Sequence, residues 1–263
     1  MNIKTSIFII FISVFSLFGF AKYYDFPVKN LFSVTFYQSM ANPSVRIIRI
    51  EKGFRREEVA ETLTEGLGWS SSEKLAFLNA PIALGKESLE GQYFPATYLI
   101  HKDDSPVTVT HTMINRFTDE TKNIKKIKKT KIISQDTALK IASLIQREAA
   151  GKEDMNLISG IIWNRLFKGM RLQIDATLQY AKGDEENWWP QVEPDDKDIN
   201  SPYNTYTNTN LPPTPISNPG LQAIEAAYNP QTTTCLYYIH DKNRKIHCSA
   251  TYQGQLNNIK KYY

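Results

Sequence analysis

Seventeen consecutive residues without a charge, "TSIFIIFISVFSLFGFA" from 5 to 21, decide which part of this chain can fold as a globular body. A run of that length sits at the short end of a membrane span and is long for a signal-peptide core. Lys4 precedes it, and Lys22, Tyr23 and Tyr24 follow, a tyrosine pair suited to a membrane interface. Residues 1–24 are therefore expected to form an uncleaved signal-anchor, with a cleaved signal peptide ending near Ala21 as the runner-up. Either way the remainder is exported, and the fold must be built from later residues in a compartment that permits disulfides.

Those later residues have the composition of a folded protein with a real core: the chain is 41% hydrophobic, 12% aromatic and 22% charged. The net charge of +4 is mild, and much of the excess lies in "KNIKKIKKTK", residues 122–131. That run reads as a solvated linker or helix face, with attraction to anionic wall polymer or lipid headgroups as the functional alternative. No aromatic-basic platform or zinc spacing is present, which argues against a nucleic-acid partner. The two cysteines, Cys235 and Cys248, lie on the apparent arms of a hairpin, "TCLYYIH" and "KIHCSA", joined by "DKNR". A disulfide is permitted there, although spacing alone does not set the register. A metal site with His240 and His247 fails on geometry, since adjacent or five-apart strand residues point to opposite faces.

Residues 25–44 read as a connector. "SVRIIRI" then has strand character, "REEVAETLTEGLG" reads as a helix closed by glycine, and "SSSEKLAFLN" opens a helix with the capping pair Ser70 and Glu73. "QYFPATYLI" returns as a strand. Strand, helix, helix, strand over residues 45–100 predicts a compact unit of its own, and 101–131 a connecting region that holds the basic run.

From residue 132 the pattern changes. On a helix containing "SLIQREAAG", Ala138, Ile141, Ala142, Ile145 and Ala149 form an apolar stripe, while Lys140, Ser143 and Arg147 point away. Glu148 falls on the edge of that stripe, and Arg147, one residue away, does not face it. A half-buried carboxyl without a local cation holds its proton near neutral pH, as a general acid must. The bland alternative is a glutamate reaching solvent from the rim. "EDMNLISGIIWNRLFKG" forms a second helix, with Asp154 near its start and Gly169 past its end. In "MRLQIDA", Met170, Leu172 and Ile174 alternate with Arg171, Gln173 and Asp175, a polar row that could line a groove or face solvent. Asp175 equally suits the N-cap of "ATLQYA". The long stretch 184–218 carries Trp188, Trp189, Tyr203 and Tyr206, rings that could stack on sugars or pin the loop to the core. "NPGLQAIEAAYNP" reads as a proline-started helix.

Taken together, "LEGQYFPATY", "ASLIQREAAG", "IIWNRLFKGMRLQIDATLQY", "YNTYTNTNLPPTPISNPGLQAIEAAYNP" and "CLYYIHDKNRKIH" resemble, in order, the endolytic murein transglycosylase family (YceG-like, MltG). The resemblance implies an α+β fold: a LysM-like strand-helix-helix-strand subdomain that contacts wall glycan, then a mixed α+β catalytic domain over 132–263. It implies that Glu148 is the catalytic acid/base. It places Asn164, Arg165, Gln173, Asp175, Thr177, Tyr203, Asn204, Thr205 and Tyr206 around the cleft as substrate-binding positions, some of which simply hold its shape. Two residues depart from the family pattern: Ala176 where proline is usual after the aspartate, and Ala96 where "FPDTY" would have its acid. No cofactor or metal is implied. The expected partners are peptidoglycan glycan strands, the bacterial plasma membrane through a single-pass anchor, and wall-synthesis proteins. The reaction implied is cleavage of the MurNAc–GlcNAc bond within strands to leave a 1,6-anhydro end. A muramidase using Asp175 as second carboxylate, and a non-catalytic anchored glycan-binding scaffold, are the competing readings.

Overall fold

The computed structural model describes residues 31–127 and 133–262, together with residues 19, 22 and 26. Apart from Gly19, the uncharged run 5–21 lies outside the described residues, as do residues 128–131 of the basic run. No helix among the described residues is long and apolar enough to cross a membrane.

Helix α1 (Val34–Ala41) is capped by Ser33, whose hydroxyl accepts the Phe36 amide. Strand β1 (Val45–Arg49) then pairs antiparallel with β2 (Thr97–His101), with Ile47 opposite Leu99. Between them lie α2 (Arg56–Leu67), α3 (Ser71–Leu78) and the single turn α4 (Ala80–Ala83). The expected punctuation is all there. Gly68 closes α2 in the left-handed region at φ 71°, and Ser70 and Glu73 cap α3 reciprocally.

Helix α5 (Pro106–Thr121) runs through what reads in sequence as a connecting region. Its threonines and valines obscure the helical signal, because β-branched residues lower propensity. Val109, Met113 and Phe117, four apart, nevertheless form one stripe and bury it completely. Then come α6 (Gln135–Glu148), α7 (Lys152–Phe167), α8 (Asp175–Lys182) and a 3₁₀ turn at Pro194–Asp198. The described chain closes with α9 (Leu221–Tyr228), the hairpin β3 (Tyr237–His240) and β4 (Ile246–Ser249), and α10 (Tyr252–Tyr262). Mostly helices with two small antiparallel sheets, the protein is α+β.

One hydrophobic core runs from Ile48, Leu63, Phe77 and Tyr93 through Met113 to Ile141, Ile145, Ile162 and Ile224. Residues 45–100 run strand, helix, helix, one-turn helix, strand, and their core residues belong to the same cluster as those of the helices that follow.

Four local expectations are corrected. Ser143 does not point away from the buried face of α6. It is fully buried, and its hydroxyl accepts the Ile216 amide at 3.1 Å because the loop before α9 lies across that side. "MRLQIDA" keeps its alternation, with Leu172 and Ile174 buried and Arg171, Gln173 and Asp175 exposed, yet it joins no sheet. Its partner is another loop: the amides of Gln173 and Ile174 donate to the Thr205 carbonyl and hydroxyl at 3.0 Å each. Asp175 is the first residue of α8 rather than its N-cap, a position Ile174 holds. Finally, α9 is capped by Gly220 and starts at Leu221, so Pro219 precedes the helix instead of opening it.

Candidate active site

Helix α6 is driven into the core by Ala138, Ile141, Ala142 and Ile145, and it stops at Glu148 because Ala149 turns extended (ψ 133°). Glu148 is thus delivered at a helix C-terminus, where the backbone dipole disfavours a negative charge. Arg147 makes no hydrogen bond to it; its guanidinium stacks 3.6 Å above the Trp189 ring.

Residues distant in sequence face Glu148 instead. The Tyr238 hydroxyl, on β3, donates to Glu148 Oε2 at 2.5 Å. Two residues along the same strand face, His240 meets Asp154 of α7, with Nε2 and Oδ2 3.0 Å apart. Burial pushes the Glu148 carboxyl up, and the nearby Asp175 charge adds to this. The Tyr238 hydrogen bond, His240 and the Ala176 amide act in the opposite direction without overcoming it. The Tyr238 phenol is itself pushed well above its ordinary range, by burial first and by the Glu148 charge second. The result is a carboxyl group with a strengthened hold on its proton, beside a tyrosine that remains a donor.

The other expected site residues divide into two groups. Gln173, Asp175 and Tyr206 belong to an accessible rim: Gln173 and Asp175 are exposed, and the half-buried Tyr206 donates its hydroxyl to the Asp175 carboxylate. The remainder fasten backbone. Asn164 donates to the carbonyls of Thr233 and Cys235 at 2.8 and 3.0 Å. Arg165, 9% exposed, donates to Leu236 O at 2.7 Å and Leu172 O at 2.5 Å. Thr177 and Thr205, both buried, share a hydroxyl–hydroxyl bond of 3.0 Å. Asn204 holds Lys197 O and Ile199 O, and Tyr203 bonds Thr214 while packing on Tyr180. Of the loop tryptophans, Trp188 donates to Glu61 at 2.9 Å and Trp189 to Glu58 at 2.8 Å, so both pin the loop to α2.

Three residues of the constellation do not stand out in the sequence as partners of Glu148: Tyr238, His240 and Asp154. The signal available was the two-residue spacing of Tyr238 and His240 on a strand, which puts both on one face without saying what that face meets. Cys235 and Cys248 are joined by a disulfide, and they brace this hairpin rather than offering metal ligands.

An α+β protein with a half-buried glutamate at a helix end, ringed by a tyrosine, a histidine and an exposed polar row, is the class that this geometry defines. The YceG-like family model matches residues 24–261, and the chain belongs to that family. It is 37% identical over 178 residues to the endolytic murein transglycosylase of Bacillus subtilis strain 168, covering 67% of this chain and 49% of that protein. It is 35% identical over 155 residues to the endolytic murein transglycosylase of Streptococcus pneumoniae serotype 2 strain D39, covering 58% and 28%. The chain therefore spans at most about half the length of these relatives (49% and 28%). The crystal structure of a putative yceG-like protein from Listeria monocytogenes superimposes with a TM-score of 0.71 at 28% identity, covering 83% of this chain and 76% of that one.

Proposed function

We propose that this protein is an endolytic peptidoglycan lytic transglycosylase, cutting the MurNAc–GlcNAc bond within glycan strands. The observation that carries the reading is the Glu148 carboxyl, delivered at the end of α6, met by the Tyr238 hydroxyl and made more basic by burial. Protonated Glu148 gives its proton to the glycosidic oxygen as the bond to the muramyl C1 breaks. The muramyl C6 hydroxyl then attacks C1 and returns its proton to the Glu148 carboxylate, closing a 1,6-anhydro ring. No water is consumed, and one carboxyl group serves both steps.

Gln173, Asp175 and Tyr206 are suited to line the glycan groove, while Asn164, Arg165, Thr177, Tyr203, Asn204 and Thr205 maintain its shape. The muramidase alternative would enlist Asp175 as second carboxylate. Glu148→Gln preserves shape but neither gives nor takes the proton, so cleavage should fall by roughly 10² to 10⁴-fold. Mass spectrometry of digested glycan should show anhydro ends; free reducing ends would mark a hydrolase, and an active Glu148→Gln protein would dismiss this carboxyl.

The domain scheme that goes with this function has residues 1–24 as anchor, 25–44 as connector and 45–100 as a LysM-like glycan-contacting subdomain. Residues 101–131 connect it to a catalytic domain at 132–263. The anchor would hold cleavage at nascent strands on the outer face of the plasma membrane, near the wall-synthesis proteins. Full-length protein should remain in the membrane fraction after carbonate washing, and a soluble mature chain starting near Lys22 would refute this.

A further inference from the structure

The hairpin β3–β4 is fastened unusually tightly for a surface element. The Cys235–Cys248 disulfide bridges its arms, and Cys248 lies directly opposite Tyr238 in the register. Asn164 and Arg165 hold the carbonyls of Thr233, Cys235 and Leu236 just before β3. Gly160 lets this lead-in cross α7, since a Cβ there would fall 2.2 Å from the Gln231 carbonyl oxygen. From the far side, Gln255 of α10 donates to the Tyr238 carbonyl at 3.0 Å, and Tyr262 stacks on His247 at 3.6 Å. These contacts hold the hairpin and its lead-in, and so the strand that carries one hydroxyl to Glu148.

We propose that Tyr238 is the positioning residue for Glu148, selecting which carboxyl oxygen presents the proton to the glycosidic bond, and that the braced hairpin holds it in register. The inference rests on Glu148 being the acid. A hydroxyl that donates to Oε2 makes that oxygen the acceptor of the carboxyl pair, so the proton of the acid form sits on Oε1. Once Glu148 has given up its proton, the same hydrogen bond is charge-assisted and strengthens. Tyr238 thereby moderates an acid that burial would otherwise make too reluctant to donate. The phenol's own raised affinity for its proton keeps it a donor throughout.

The charged and titratable groups around Glu148 and Tyr238 are His240 on β3, Asp154 of α7 behind His240, Arg165 of α7, Asp175 on α8, Tyr206 in the loop and Arg147 on α6 itself. Tyr238 is the group that makes a side-chain hydrogen bond to the carboxyl in the described structure.

The test uses full-length protein and purified glycan strands, measuring rate against pH for wild type, Tyr238→Phe and Glu148→Gln. Tyr238→Phe retains the ring and its packing. Its maximal rate should fall about ten-fold, as expected for losing one hydrogen bond to a charged group. The alkaline limb of its profile should move to higher pH. A folded Tyr238→Phe protein whose limb stays at the wild-type position overturns the proposal, even if its rate or melting temperature drops, because a merely structural residue would do that. Should Tyr238→Phe fail to fold, the paired variant Cys235→Ser/Cys248→Ser supplies the second measurement. Loosening the hairpin should move the limb the same way by a smaller amount, and an unmoved limb counts against the proposal. If Glu148→Gln instead cleaves normally, it is the assignment of the acid that has failed, which separates the two ideas.

Discussion

Gln173 shows how much a single position can combine. Its φ of 52° lies in the left-handed region, where a side chain costs about 1–2 kcal/mol. The backbone is held there because its amide bonds the Thr205 carbonyl, while the side chain remains exposed on the rim beside Asp175. Gln173→Ala leaves that backbone as it is and removes only exposed atoms. Its melting temperature should match wild type while turnover on glycan strands falls several-fold; a lowered melting temperature with normal turnover would make Gln173 structural. The exposed row was legible from simple alternation, since burial of Leu172 and Ile174 forces their neighbours outward. Glu148 was legible in the same way, as a carboxyl on the edge of an apolar stripe. Ser143 was misjudged for a reason no helical wheel contains: a loop more than seventy residues later, ending at Ile216, covers its face (sequence separation 73). Tyr238, ninety residues from Glu148, escaped on the same grounds.

At the level of elements, local chemistry was readable wherever it is self-contained. Ser70 with Glu73, the left-handed Gly68, and the "DKNR" turn each determine a boundary through atoms a few residues apart. Elements whose identity comes from what they pack against were not. Helix α5 has an apolar stripe, but it was hidden among threonines whose intrinsic preference is elsewhere; burial of Met113 and Phe117 decides the matter. Helix α10 buries none of its residues fully, and its support is the hairpin it leans on. "MRLQIDA" presents the opposite case: a strand-like pattern without a strand, because the loop carrying Thr205 takes the hydrogen bonds a neighbouring strand would have taken. The rings of the long loop divide likewise. Trp188 and Trp189 spend their indole N–H groups on Glu61 and Glu58, whereas Tyr206 keeps its hydroxyl at the rim.

At the scale of the whole molecule, the strand-helix-helix-strand unit is joined to the Glu148 helices through a buried polar seam. Asn218, fully buried, donates to Phe54 O and to Glu90 Oε1 and accepts the Tyr93 amide. Glu90, 3% exposed, also accepts the Arg56 amide at 3.1 Å. Burial, and then the charge of Glu57, push the Glu90 carboxyl up to about 8 from an ordinary 4.5, despite the opposing Arg56 amide and the Arg55 and Arg56 charges. A carboxyl with a raised folded-state value binds more protons folded than unfolded between those two limits. Stability must therefore fall as pH rises from about 4.5 to about 8, and level off once both states are ionised. Glu57, which burial would raise but its Arg56 and Arg55 partners hold below its ordinary range, has the opposite slope, but only below about 4.5. Its effect does not enter the window. Glu90→Gln puts a neutral group of the same shape in the seam, losing one acceptor but never a buried charge. Denaturant unfolding of both proteins at intervals from pH 5 to 9 should show the variant gaining on wild type steadily up to about pH 8 and holding a constant lead beyond it. Curves that stay parallel across that range would mean Glu90 ionises as readily in the folded seam as in the open chain.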